Sequence, residues 1–334
     1  RQLVVWQRLS VHLGWSCDNV RASYDEISKS VQDEVFAGAK AFVRENKGRY
    51  DCYGYIYTGE GQDLGQFFAE LAVGNGKIQN SSSNTTVTNG NDCYSLSGAT
   101  YGVYSDKGCT KSVAILTTNA NGNTDTVELR AATYYVKETK APKGFQLDKN
   151  VYTMTVKVNE TTTLKVSDKP KVTDTLVELF KIDMEISKAT PQGNASLEGA
   201  EFVWKYYDGY YTKDNLPSEP TRTWTTKTIA EKDSNNEVHY ITRLADSYKV
   251  LGDSFYTQNG TICLPLGTIT VEEKTAPNGY LLEGAYMQAA GSSEQIKGVY
   301  VAQITEDGEL AALSGSNQYS VLDKVIPVSY THLR

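Results

Sequence analysis

Hydrophobic and polar positions alternate with a period of two along most of this chain, which predicts short strands with one buried and one wetter face. The pattern is clearest in "TYYVKE" (133–138), "VYTMTVKV" (151–158) and "TTTLKVSD" (161–168), bounded by turn signals such as Lys143-Gly144 and Asn159-Glu160. One segment keeps a helical period instead. In "SYDEISKSVQDEVFAGAKAFVREN" (23–46), Ile27, Val31, Val35, Ala39 and Phe42/Val43 share a face, with Ser23 placed as an N-cap. The polar stretch "GNGKIQNSSSNTTVTNGND" (74–92) marks a boundary at its glycine-rich start. The expected fold is mainly β. A small, partly helical remnant (1–73) precedes two tandem sandwiches (74–172 and 173–327) and a tail (328–334) that continues no strand pattern.

The order of features repeats. The first copy has Asn80, "SLSGATYGVY" (95–104), Glu138-x-x-Ala-Pro-x-Gly-Phe and "LKVSDKP" (164–170). The second has Lys181, "SLEGAEFVWKYY" (196–207), Glu273-x-x-Ala-Pro-x-Gly-Tyr and "YSVLDKVIP" (319–327). Asn80 to Leu96 and Lys181 to Leu197 are the same sixteen-residue step. The second copy is longer in the middle, at "YDGYYTKDNLPSEPTRTW" (207–224), and again before its last strand; such insertions map to loops.

Alternation puts Lys181 on the face of Val177 and Leu179, Glu273 with Ile269 and Val271, and Asp323 with Val321. Charged residues are rarely buried alone, so three inward-pointing ones predict mutual pairing. Burial disfavours the charged forms. A neutral amine facing a protonated carboxyl without water can condense to an amide, and proximity alone lowers such a barrier by about 7–11 kcal/mol. Glu273 is then placed to shuttle protons. From the residues alone, a plain buried ion pair and three half-exposed charges remain alternatives.

The ordered set of a Lys on the first strand, "L-x-G-A-x-F", "E-x-x-A-P-x-G-Y" and a final-strand Asp resembles the prealbumin-like (Ig-like) B-type domains of collagen-adhesin and SpaA-pilin proteins on Gram-positive surfaces. The resemblance covers residues 75–327 in two copies. It implies an autocatalytic isopeptide bond between Lys181 and Asp323 assisted by Glu273. In the first copy Glu138 and Asp168 match, but Asn80 replaces the lysine and an amide is no useful nucleophile. Lys77, three residues earlier, faces the other way on a strand. No cross-link is therefore expected there. The opening "RQLVVWQRL" resembles the "T-Q-x-x-Φ-W" segment of thioester adhesin domains, in which Gln2 would be the thioester glutamine, although Arg1 replaces the Thr. On this reading the chain is a piece of a longer, wall-anchored extracellular protein. Its partners would be a host surface protein or glycan, reached through the missing N-terminal region, and other pilin subunits.

Composition adds limits. Twenty-three Tyr and 27 Gly against 8 Pro suit a β protein, and a net charge of −7 without a basic stripe argues against nucleic acid. No apolar run reaches the roughly 20 residues that span a bilayer. Five cysteines are too few for a disulfide scaffold; Cys93 and Cys109, each beside turn residues, either bridge two loops or stay as thiols. Cys17 and Cys52 form a second, weaker pairing, and Cys263 reads as a core residue. His12, His239 and His332 lack metal spacing, so neither metal nor cofactor is expected. A competing function is a carbohydrate- or matrix-binding module using Tyr207, Tyr210 and Tyr211 of the insertion.

Overall fold

The computed structural model describes residues 28–57, 64–173, 178–183, 196–289, 291–306 and 318–325. A helix, Lys29–Glu45, is followed by β1 (Tyr50–Tyr57), β2 (Leu64–Leu71), β3 (Val73–Ser82) and a helical turn, Thr85–Thr88. Then come β4 (Thr100–Tyr104), β5 (Ser112–Thr117), β6 (Val127–Arg130), β7 (Ala132–Lys140), β8 (Val151–Val156) and β9 (Thr161–Asp168). These form a hairpin, β1-β2, and the two sheets of a first sandwich, β6-β3-β9 and β5-β4-β7-β8.

The second copy supplies β10 (Val172–Thr173), β11 (Glu178–Asp183), β12 (Glu201–Tyr207), β13 (Arg222–Lys227), β14 (Ile229–Lys232) and β15 (Val238–Thr242). It continues through β16 (Lys249–Gly252), β17 (Tyr256–Gln258), β18 (Thr261–Pro265) and β19 (Gly267–Thr275). It closes with β20 (Tyr280–Ala289), β21 (Ile296–Lys297), β22 (Tyr300–Ile304) and β23 (Gln318–Val325). Its sheets run β14-β15-β11-β23-β20-β21 and β16-β13-β12-β19-β22, with a small β10-β18-β17 sheet beside them. The protein is mainly β and sandwich-like, as its alternation requires. No described helix is long and apolar enough to cross a membrane.

Contacts group the described chain into two compact units. One draws on residues up to 77, 126–134 and 153–163; the other on 78–125, 135–152 and the remainder from 164. In the first unit the helix forms but buries none of its residues: Val31, Phe42 and Val43 are exposed. The apolar stripe is real in sequence and uncovered in the structure. Its N-cap is Ser28; Ser23 lies outside the described residues, as do Gln2, Cys17, His12, His332 and the tail. Strand β3 opens against β6, and Arg49 and Arg130 pair with Glu128 and Asp51.

In the second unit one apolar core runs from Val87, Tyr94 and Phe145 to Phe202, Trp224, Leu266 and Val321. Asn91 and Tyr94 stitch it: the Asn91 amide donates to Tyr206 Oη at 2.8 Å and to Leu266 O at 2.9 Å, and Leu266 N–H donates to Tyr94 Oη at 2.9 Å. The repeat is also legible in the turns. Gly144 and Gly279, the glycines of the two Ala-Pro-x-Gly motifs, have φ of 81° and 92°, a left-handed region open to glycine at little steric cost. A Cβ on Gly144 would sit 2.7 Å from Cys93 O.

Candidate functional site

The strand period builds the site in the second sandwich. Strand β11 alternates half-buried and buried positions, so Leu179, Lys181 and Asp183 all face the core. Strands β11 and β23 are parallel neighbours at the centre of their sheet. Strand β19 of the facing sheet brings in Glu273. Lys181 Nζ lies 2.6 Å from Asp323 Oδ1 and 2.7 Å from Glu273 Oε2, and all three residues are buried. The lysine also sits over the Phe202 ring, 6.0 Å from its centroid. Among the described residues, neither Asp323 oxygen nor Glu273 Oε1 has a hydrogen-bond partner. The short Lys181–Asp323 approach is therefore a contact without hydrogen-bond directionality.

Burial pushes the Glu273 carboxyl up to about 8, against the opposing pull of Lys181 and with a further push from Asp323. A carboxyl balanced near neutrality between an amine and a second carboxyl can accept a proton from one and hand it to the other. A cleft of about 140 Å³ lined by Glu272, Glu273, Tyr286, Met287, Ile296 and Val321 adjoins this group.

The first sandwich holds the corresponding trio without an amine. Asn80 Nδ2 donates to Asp168 Oδ2 at 2.5 Å, and Asp148 N–H donates to Glu138 Oε2 at 2.6 Å. Asn80 Oδ1, Glu138 Oε1, Asp168 Oδ1 and Tyr101 Oη are buried with no hydrogen-bond partner among the described residues. Burial raises Glu138 to about 7, Asp168 adding to the rise, and burial also raises Asp168. Lys77 is half-buried on the face of β3 away from Ile78 and Asn80.

Three residues escaped the sequence reasoning. Asp183 is fully buried and is the register partner of Asp323; its i+2 spacing from Lys181 carried the signal. Tyr280 donates its hydroxyl to Asp183 Oδ2 at 3.1 Å. Tyr101, the register partner of Glu138, stands where Phe202 partners Glu273.

Of the two states left open for Cys93 and Cys109, the structure shows free thiols. Cys93 is buried in the shared core beside Tyr210, while Cys109 occupies the β4–β5 turn with φ 53°. Other expectations are corrected. His239 is not isolated: Asp233, Glu237 and His239 bring ligand atoms within 4.8 Å of one another at the β14–β15 hairpin. Asp233 there accepts the Asn235 and Glu237 backbone N–H groups, which is turn chemistry. Tyr207 is buried, so it offers no surface to a ligand; Tyr211 instead lines a cleft of about 500 Å³ with Lys213, Glu294, Tyr300 and Gln303.

Residues 82–170 match the prealbumin-like fold domain SpaA. Over 88 residues the chain is 40% identical to the trypsin-resistant surface T6 protein of Streptococcus pyogenes, a match covering 24% of this chain and 16% of that protein. Among solved structures it is similar to the Bacillus anthracis TIE protein, at 20% identity and TM-score 0.43, over 83% of this chain and 41% of the other. It is also similar to a C-terminal fragment of the pilus adhesin SpaC from Lactobacillus rhamnosus GG, at 15% identity and TM-score 0.40, over 76% and 99%.

Proposed function

We propose that the chain is a stalk segment of a wall-anchored surface adhesin or pilin, with its second sandwich braced by a self-formed Lys181–Asp323 isopeptide bond. The observation that carries this reading is the buried 2.6 Å approach of Lys181 Nζ to Asp323, with Glu273 at 2.7 Å. The amine nitrogen attacks Asp323 Cγ, a C–N bond forms and the C–O bond breaks. Glu273 carries a proton from nitrogen to the departing hydroxyl, which leaves as water. One water is lost, with no oxidant, metal or cofactor in the balance. The event happens once per chain, so the protein is not an enzyme.

Tandem sandwiches at 74–172 and 173–327 suit a spacer that projects a binding region from the cell surface. The fold class and the likeness to a streptococcal surface protein support an extracellular setting, with host surfaces and other pilin subunits as partners. Intact mass tests the chemistry. One water missing from the sequence mass is expected; none missing overturns the Lys181 assignment, and two missing overturns the reading of Asn80 as inert.

A second reading is favoured by the Tyr211 and Tyr300 cleft, whose polar groups suit a glycan or matrix protein. Glycan-array or matrix-protein binding lost in Tyr211→Ala decides for it.

A further inference from the structure

We propose that the cleft beneath a bulge in β20 is the port through which the cross-linking site passes its water to solvent; the inference rests on the Lys181–Asp323 reading above. Leu281 pairs with Lys324 and Tyr286 with Leu322, so residues 282–285 leave the β20–β23 ladder opposite Asp323. An ordinary bulge sets two residues against one, whereas here a whole loop stands against a single aspartate. On its other side Asp323 keeps its register place beside Asp183 of β11. The ladder is open at the residue that supplies the acyl carbon and closed on the residues around it.

Leu282 and Ala285 of the bulge line the cleft of about 140 Å³, together with Glu273 and Val321. Leu282 is exposed, whereas Glu273 and Val321 are buried, so the cleft runs from the surface to the site. Glu273 borders it, and Lys181 and Asp323 do not. At about 30 Å³ for each water there is room for a few molecules. Apolar walls from Leu282, Ala285, Met287 and Ile296 offer little of the hydrogen bonding that holds a buried water in place. Condensation makes one water at Asp323 Cγ, with its last proton brought by Glu273. Left in the core, that water is the nucleophile of the reverse reaction. Released beside the carboxyl that borders the cleft, it can leave and the amide stays.

The first sandwich, which has no amine, closes the matching place. Asp148 follows Phe145 by three residues, as Glu283 follows Tyr280. Asp148 N–H donates to Glu138 Oε2 at 2.6 Å, and the Tyr152 hydroxyl donates to the Asp148 carboxylate. Glu283 instead lies in the bulge and is exposed. Backbone therefore seals the glutamate of the inert copy, while the same segment of the second copy stands off from Glu273.

The test follows water loss by intact mass as the full chain, recovered unfolded from inclusion bodies, refolds at neutral pH. Fluorescence of the buried Trp204 and Trp224 follows folding in the same samples. Ala285→Phe fills the cleft and should slow water loss about tenfold, equivalent to about 1.4 kcal/mol in the barrier, while folding keeps its wild-type rate. Leu282→Trp narrows the mouth and should slow water loss in the same sense. Leu251→Trp adds the same bulk at an exposed leucine on β16 and should change nothing. Water loss at the wild-type rate in Ala285→Phe overturns the proposal. Folding and water loss slowed together also overturn it, as does equal slowing in Leu251→Trp. Where Ala285→Phe fails to fold, Leu282→Trp decides by the same criteria, because an exposed position tolerates bulk. A wild-type chain that loses no water overturns the cross-link reading itself and is told apart from these outcomes.

Discussion

Lys181 and Asp323 sit on the first and last strands of the second sandwich, which pair in parallel, and the lysine crosses two register positions to bring Nζ within 2.6 Å of Asp323 Oδ1. Tension applied at the two ends of this sandwich would enter at these strands. Backbone hydrogen bonds between them can yield one after another, whereas a covalent link between the side chains cannot. The placement therefore has mechanical meaning as well as chemical meaning.

Lys181→Ala should melt well below the wild type. The link would close a loop of more than a hundred residues, worth about 5 kcal/mol if the chain-entropy treatment of disulfides transfers to an amide. Removing one member of a buried charged cluster costs about 3–5 kcal/mol in its own right. Calorimetry checks the shift, and intact mass should show the missing water restored. Equal melting would remove the case for reinforcement.

The first sandwich should lose stability as pH rises. Glu138 is raised to about 7 in the fold, chiefly by burial, above its ordinary value of about 4.3. The folded state therefore keeps a proton that the unfolded chain releases. The stabilisation is complete below about pH 4 and is lost as pH climbs through 7, on the order of 3–4 kcal/mol. Chemical denaturation at a series of pH values should show the decline, and Glu138→Gln should flatten it. A stability that rises across this range contradicts the assignment.

Two buried threonines repeat one device. Thr118 Oγ1 accepts from Ala99 N–H at 3.0 Å and donates to Leu96 O at 2.6 Å; Thr228 Oγ1 does the same for Ala200 N–H at 3.0 Å and Leu197 O at 2.7 Å. Each hydroxyl closes the Leu-x-Gly-Ala turn. Thr118→Val and Thr228→Val keep the shape but strand a buried donor and acceptor, so each should cost about 1–3 kcal/mol. Urea melts of the two variants should show similar losses; a neutral effect in either means that its turn finds another partner.

Much of this was readable because side-chain direction in a strand has a period of two. Alternation around Lys181, Glu273 and Asp323 sets which face each occupies, and the second copy gives the order in which the strands return. Asp183 carried the same signal and was passed over because it ends its strand. Tyr280 reads as motif packing until its hydroxyl is seen to meet Asp183. Thr118 and Thr228 are invisible to hydrophobic patterning, since a buried hydroxyl bonded to backbone looks polar in sequence. The state of Cys93 and Cys109 stayed open in the sequence for a different reason: nearness to turns does not say which way a turn points, and Cys93 faces inward to the core. The helix pattern was legible too, but amphipathicity does not supply the surface that covers it.

The two sandwiches differ at four matched positions, so the chemistry should be transferable. Asn80, Ser82, Tyr101 and Phe145 stand where Lys181, Asp183, Phe202 and Tyr280 stand in the second copy. Asn80→Lys brings an amine next to Asp168, which Asn80 already touches at 2.5 Å. Tyr101→Phe removes the buried hydroxyl beside Glu138 and offers the lysine stem a ring face like that of Phe202. This pair of changes should produce a slow second loss of water, with Glu138 as the proton carrier. Time-resolved intact mass on refolding chains separates the steps, and peptide mapping should place the new link between positions 80 and 168. If the two changes give a folded chain with no second loss of water, similarity of position is not enough, and the site in the first sandwich differs in geometry as well as in residues.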